Sequence, residues 1–133
     1  MKYISTRNNS KEFNFSEVFI KGLADDGGLY VPKSLKKYST EELLQLKNFN
    51  YNELSTEIIN LFSADFISRE ELSLLINKSY STFREKEVVK IANVGDIKLL
   101  ELFHGPTLAF KDVAMQFIGN LYEYYLSKND KKI

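Results

Sequence analysis

The chain has 133 residues, with 18 basic and 18 acidic side chains, one histidine and no cysteine; 44% is hydrophobic and 27% charged. That balance belongs to a globular chain of single-domain length and excludes a disordered one. Without cysteine there are no disulfides, thiolate zinc sites, iron–sulfur clusters or cysteine nucleophiles. His104 alone cannot build a paired-histidine metal site, and zero net charge with 15 lysines among the 18 basic residues predicts no nucleic-acid partner.

Residues 1–10 (MKYISTRNNS) lack the apolar stretch of a secretory peptide, and no apolar run approaches the ~20 residues needed to cross a bilayer. A cytoplasmic protein without a membrane partner is expected. Residues 2–6 (KYIST) are rich in β-formers and predict a strand. Ser16 is placed to cap a helix over about residues 17–23, carrying Val18, Phe19 and Leu23. Asp26-Gly27-Gly28 ends it, and Leu29-Tyr30-Val31 reads as a second strand stopped by Pro32. Asp25-Asp26-Gly27-Gly28 lacks the alternating ligands and closing glutamate of a calcium loop.

Residues 39–82 read as three helices, each announced by a cap residue and a glutamate three positions later. The pairs are Ser39 with Glu42, Asn50 with Glu53, and Ser68 with Glu71. Behind them run apolar stripes: Leu43, Leu44 and Leu46; Leu54, Ile58, Leu61 and Phe62; Leu72, Leu75, Ile76 and Tyr80. Such stripes predict core packing and no chemistry.

After Phe83 the period changes. Residues 87–91 (EVVKI) predict a strand, residues 93–96 (NVGD) a turn, and residues 97–103 (IKLLELF) another strand, as a hairpin or a nearby pair. Residues 104–107 (HGPT) are a loop, since Gly-Pro neither continues a helix nor donates to a ladder. From about Phe110 the apolar positions Val113, Met115, Phe117, Ile118, Leu121, Tyr122, Tyr125 and Leu126 predict a helix of some four turns, ending near residues 127–130. Strand, loop and helix form the first half of a βαβ unit, whose next strand would begin at Lys131-Lys132-Ile133. The chain is therefore expected to be cut short; closure of the last helix on the helical cluster is the alternative.

Residues 101–112 (ELFHGPTLAFKD) resist a bland account. Lys111 falls at a predicted helix N-terminus, where the dipole disfavours a cation by roughly 0.3–1 kcal/mol; Asp112 suits that position. Such a lysine is either solvated and incidental or it is used. Positive potential and partial burial both favour the neutral amine that attacks a carbonyl. His104 is either an acid–base group or a strut for the loop. Neither a Gly-x-Ser-x-Gly elbow nor a Walker or dinucleotide-binding glycine loop occurs.

This segment resembles the cofactor-lysine segment of the threonine synthase family, pyridoxal-phosphate enzymes of the tryptophan-synthase-β-like class. Tyr3-Ile4-Ser5-Thr6-Arg7 and residues 22–32 (GLADDGGLYVP) are similar to that family's opening, in the same order. Asn8-Asn9 departs from it, because a glycine usually follows the arginine; the local turn is left open. The resemblance implies a helix-rich α/β fold. Residues 1–82 would be an N-terminal threonine synthase domain with a small sheet and helical cluster. Residues 83–133 would begin a fold-type II catalytic domain with its first strand, loop and helix.

By the same resemblance Lys111 would hold pyridoxal 5′-phosphate and shuttle protons at the substrate's Cα and Cβ. The reaction would convert O-phospho-L-homoserine and water into L-threonine and phosphate. His104, Thr107, Phe110 and Asp112 would line the pocket, Phe110 and Asp112 as shapers of the lysine's surroundings. Most groups that hold the cofactor phosphate and substrate would lie beyond residue 133, so the chain alone is expected to be inactive and to retain cofactor weakly. Another pyridoxal-phosphate lyase and a naturally short, non-catalytic interaction module are the alternatives. Oligomeric state is not legible, and a monomer is the default.

Overall fold

The computed structural model describes residues 1–129. Nine elements follow in order: β1 (Tyr3–Ser5), α1 (Phe15–Lys21), β2 (Tyr30–Pro32), α2 (Thr40–Leu46), α3 (Tyr51–Ser63), α4 (Arg69–Tyr80), β3 (Lys90–Val94), β4 (Ile97–Glu101) and α5 (Asp112–Lys128). The fold is helix-rich α/β with two small antiparallel sheets, β1–β2 and β3–β4. Two compact units divide it: residues 1–49 with 54–72, and residues 50–53 with 73 onward.

In the first unit β1 and β2 pair through Tyr3 with Pro32, Ile4 with Val31 and Ser5 with Tyr30. Pro32 is thus the last strand residue, and Leu29 lies outside the strand in an isolated bridge with Leu23. The cap of α1 is Asn14 and not Ser16. Asn14 accepts the Glu17 amide at 2.9 Å, and Glu17 returns the bond to the Asn14 amide at 2.8 Å. The Ser16 hydroxyl donates to Asn14 Oδ1, so it supports the cap without being it. Tyr3, Val18, Ala24, Ile67 and Leu72 are buried here. The Tyr3 hydroxyl donates to the Phe62 carbonyl at 3.0 Å, tying the first strand to α3.

The capping boxes at Ser39 and Asn50 form with both bonds. At Ser68 the hydroxyl accepts the Glu71 amide, and the glutamate answers through that hydroxyl. The stripe on α2 is not core: the helix has no buried residue, and Leu43 and Leu44 are exposed. A seven-residue helix held by its cap has little area to pack.

In the second unit Ile76, Tyr80, Phe83, Val88, Phe117 and Leu121 are buried. Tyr80 packs edge-on against Tyr51 and Phe83, and its hydroxyl donates to the Val113 carbonyl at 2.9 Å. Asn120 donates to Ser79 Oγ at 2.9 Å, a second link between α4 and α5. The predicted strand at residues 87–91 begins later, at Lys90. Val88 has φ +60°, which breaks an extended run despite its β-branched side chain. Asn93 and Val94 belong to β3, and the turn is Gly95-Asp96. Positive φ at Gly95 alone of the two is the type II′ pattern. The second strand ends at Glu101, short of Phe103. The hairpin is apolar on both faces, with Ile91, Val94, Ile97, Leu99 and Leu100 exposed. Helix α5 begins at Asp112, two residues after the expected start, and runs to Lys128. The strand expected at Lys131-Lys132-Ile133 lies outside the described residues.

Candidate functional site

The ten residues between β4 and α5 form a folded loop. His104 enters it with both ends engaged: its carbonyl accepts the Arg84 amide at 2.9 Å. Its Nε2 meets Glu101 Oε2 at 2.8 Å, three residues back. The histidine is thus turned toward its own strand, as a strut would be. Gly105 is buried against Asp112, and a Cβ placed on it would stand 2.3 Å from Asp112 Cβ. Only glycine fits there without a shift of the helix start.

Thr107 closes the loop. Its amide donates to Asp112 Oδ2 and its hydroxyl to Oδ1, both at 2.8 Å. Gln116, one turn further along α5, adds a 3.4 Å bond to Oδ1. Between Thr107 and the helix, Leu108 takes the left-handed conformation at φ +62°, and its amide donates to the Gly105 carbonyl. The side chains of Leu108 and Phe110 are exposed.

Asp112 is only 3% exposed. Burial works to raise its pKa, but the bonds from Thr107, Gln116 and the Ala109 backbone prevail and hold it below the usual carboxylate range. Lys111 occupies the N-cap position in helical geometry, with no side-chain cap bond. Its carbonyl accepts the Ala114 and Met115 amides. Of the two readings open for this lysine, solvated or partly buried, its surroundings are those of the solvated one. It is exposed, and no hydrogen bond or ion pair engages its ammonium among the described residues.

Of the five residues singled out from sequence, the fold binds Thr107 and Asp112 directly together beside Lys111. His104 is paired with Glu101, and Phe110 faces outward. Sequence reasoning missed the parts played by Glu101, Gly105 and Gln116. Their signals were present as i,i+3 and i,i+4 spacings to His104 and Asp112, and as a glycine before proline.

The N-terminal motif is a second braced loop. Asp26 accepts the Ser5 hydroxyl at 2.7 Å and the Gly28 amide at 2.8 Å, while Arg7 Nη1 donates to the Asp26 carbonyl at 3.3 Å. These bonds, the Ser5 hydroxyl foremost, lower the Asp26 pKa. Asp25 pairs with Lys21, so the acidic pair is spent on a turn, and no group of metal-ligating side chains occurs among the described residues. Asn8 Oδ1 accepts the Ser10 amide at 3.0 Å, a side-chain-stabilised turn at the position left open by the missing glycine. No helix among the described residues is long and apolar enough to cross a membrane.

Residues 2–80 match the family described as threonine synthase N terminus. The chain is 41% identical to the threonine synthase of Schizosaccharomyces pombe over 98% of its own length and 26% of that protein's. It superposes on a pyridoxal-phosphate-bound threonine synthase from Brucella melitensis with a TM-score of 0.93. That match has 35% identity and covers 99% of this chain and 29% of the other. For the yeast enzyme the TM-score is 0.91 at 41% identity, covering 97% and 27%. The chain thus spans little more than a quarter of the length of these relatives.

Proposed function

Because the chain belongs to the threonine synthase family, we propose that it is the amino-terminal part of a pyridoxal-phosphate-dependent lyase with Lys111 as the cofactor-holding residue. The reaction would convert O-phospho-L-homoserine and water into L-threonine and phosphate. In this division residues 1–82 are the N-terminal domain and residues 83–133 open the catalytic one. On this proposal the protein works in the cytoplasm on a small-molecule substrate.

The observation that carries the proposal is the match of 99% of the chain, the Lys111 segment included, to a pyridoxal-phosphate-bound threonine synthase; the exposure of Lys111 is compatible with it. The lysine is a primary amine at the positive end of a 17-residue helix, exposed, with no competing carboxylate among the described residues. That fits a residue whose nitrogen must be free to condense with an aldehyde. Pyridoxal phosphate, when bound, supplies an electron sink that acidifies the substrate Cα–H. In the proposed reaction Lys111 would be the group that takes and returns protons at Cα and Cβ. Thr107 and Asp112 shape the loop in this proposal: Thr107 donates its amide and hydroxyl to Asp112, which also accepts from Gln116. His104 is held by Glu101 and contributes shape.

Borohydride reduction of the chain in the presence of pyridoxal 5′-phosphate, followed by peptide mass mapping, tests this. The label is expected on Lys111 ahead of the other 14 lysines and to move elsewhere in Lys111→Ala. Labelling spread evenly over the lysines would sink the assignment. Without reduction, no visible-absorbing adduct is expected to survive dialysis. The 133-residue chain is also expected to release no phosphate from phosphohomoserine, and sustained turnover would overturn that part.

A further inference from the structure

We propose that Asp112 is a positioning residue for Lys111: its buried carboxylate locks the Gly105–Leu108 turn onto the first turn of α5 and so fixes where the neighbouring amine emerges. This rests on Lys111 being the cofactor-holding residue.

A carboxylate that only complemented the helix dipole would do so from the surface. Asp112 is instead buried, and its oxygens are divided between the amide and the hydroxyl of a single residue, Thr107. No cation is paired with it among the described residues; neutral donors alone hold it. Removing such a group from water is unfavourable unless every lone pair finds a donor, which makes the geometry specific. Both backbone and side chain of Thr107 are thereby fixed.

Three further features depend on that lock. Gly105 packs so closely on Asp112 that a methyl group cannot enter. Leu108 is held in a left-handed conformation that residues other than glycine adopt rarely and at a cost. Consecutive helical residues point about 100° apart, so burying Asp112 turns its neighbour Lys111 outward. On the other side, the Tyr80 hydroxyl holds the Val113 carbonyl. Lys111 therefore precedes two consecutive residues that are each anchored to a different part of the unit. Asp112 touches no reacting atom in this arrangement and acts through Lys111.

The test compares the parent chain with Asp112→Ala, Asp112→Asn, Thr107→Val and Thr107→Ser. Two readouts are used: the share of reductively trapped pyridoxal phosphate on Lys111, and hydrogen exchange of the Thr107 amide. Misplacement of a reacting group by even an ångström is costly, so Asp112→Ala is expected to lower the Lys111 share about tenfold. Asp112→Asn and Thr107→Val should lower it several-fold, and Thr107→Ser should restore the parent value. The Thr107 amide should be protected in the parent and lose protection in Asp112→Ala. Circular dichroism reports whether each variant is folded; if Asp112→Ala is not, Asp112→Asn and Thr107→Val carry the comparison. If folded variants keep the parent's labelling preference, the positioning role falls while Lys111 keeps its assignment. If the parent itself shows no preference, the Lys111 assignment falls and the positioning role with it. In that case the exchange data still report whether the Asp112–Thr107 lock exists.

Discussion

The Asp112 carboxylate receives the hydroxyl and the backbone amide of Thr107 at the same distance, 2.8 Å. One side chain at the start of a helix thus holds the preceding loop from two directions. The loop's conformation is held by this pair and by the glycine pressed against it.

Gly105→Ala should be the most damaging single methyl in this loop. Its Cβ would meet Asp112 Cβ and the carboxyl carbon inside 3 Å, and overpacking of this kind costs about 1–3 kcal/mol. Urea denaturation should show a lower midpoint with an unchanged slope. An alanine at Gly119, where nothing lies within 4 Å, is the control and should not destabilise.

Lys111→Ala should separate stability from chemistry. The lysine is exposed and sits at the helix end that disfavours cations, so its removal should leave stability unchanged or raise it by up to about 1 kcal/mol. Thermal unfolding checks this, and a loss of several degrees would contradict it.

The two candidate caps of α1 can be told apart by mutation. Asn14→Ala removes both the acceptor for the Glu17 amide and the geometry for the return bond, which should cost about 1 kcal/mol. Ser16→Ala removes a single supporting bond and should cost clearly less in the same denaturation series.

Acid should loosen both braced loops. Hydrogen bonds from Ser5 and Gly28 lower the Asp26 pKa; for Asp112 burial opposes, but the Thr107 and Gln116 bonds prevail in the same direction. A carboxylate whose folded pKa lies below its unfolded value of roughly 3.9 contributes stability above that value and loses it as pH falls through the folded pKa. Stability should therefore hold from neutral pH to about 4 and decline below. Asp112→Asn should show a shallower decline; an identical profile would remove Asp112 from the account.

Much of the helical framework was legible because its signals are local. Ser39 with Glu42 and Asn50 with Glu53 form the boxes their spacing announces. Asn14 and Glu17 carry the same spacing and form the cap of α1; Ser16, equally a good cap residue, supports it by one bond. The start of β3 was misplaced because Val88 favours strands intrinsically, whereas burial at φ +60° decides its conformation. Leu43 and Leu44 show the limit of periodicity, since a stripe says which face is apolar and not whether anything covers it. At the site, the helix start near Lys111 was legible. The burial of Asp112 was not, because it depends on donors arriving from Thr107 and Gln116 together.

The bond from the Tyr3 hydroxyl to the Phe62 carbonyl joins residues 59 apart, and this has a bearing on synthesis. A ribosome adding about 5–20 residues per second places roughly 3–12 s between the two. For about the second half of that interval the first strand has β2 as a partner but not yet α3. The first unit thus cannot be completed until α3 has been made, since an isolated pair of three-residue strands is marginal by itself. Chaperone binding or a pause in translation before α3 emerges would act on a first strand whose tyrosine has nowhere to go.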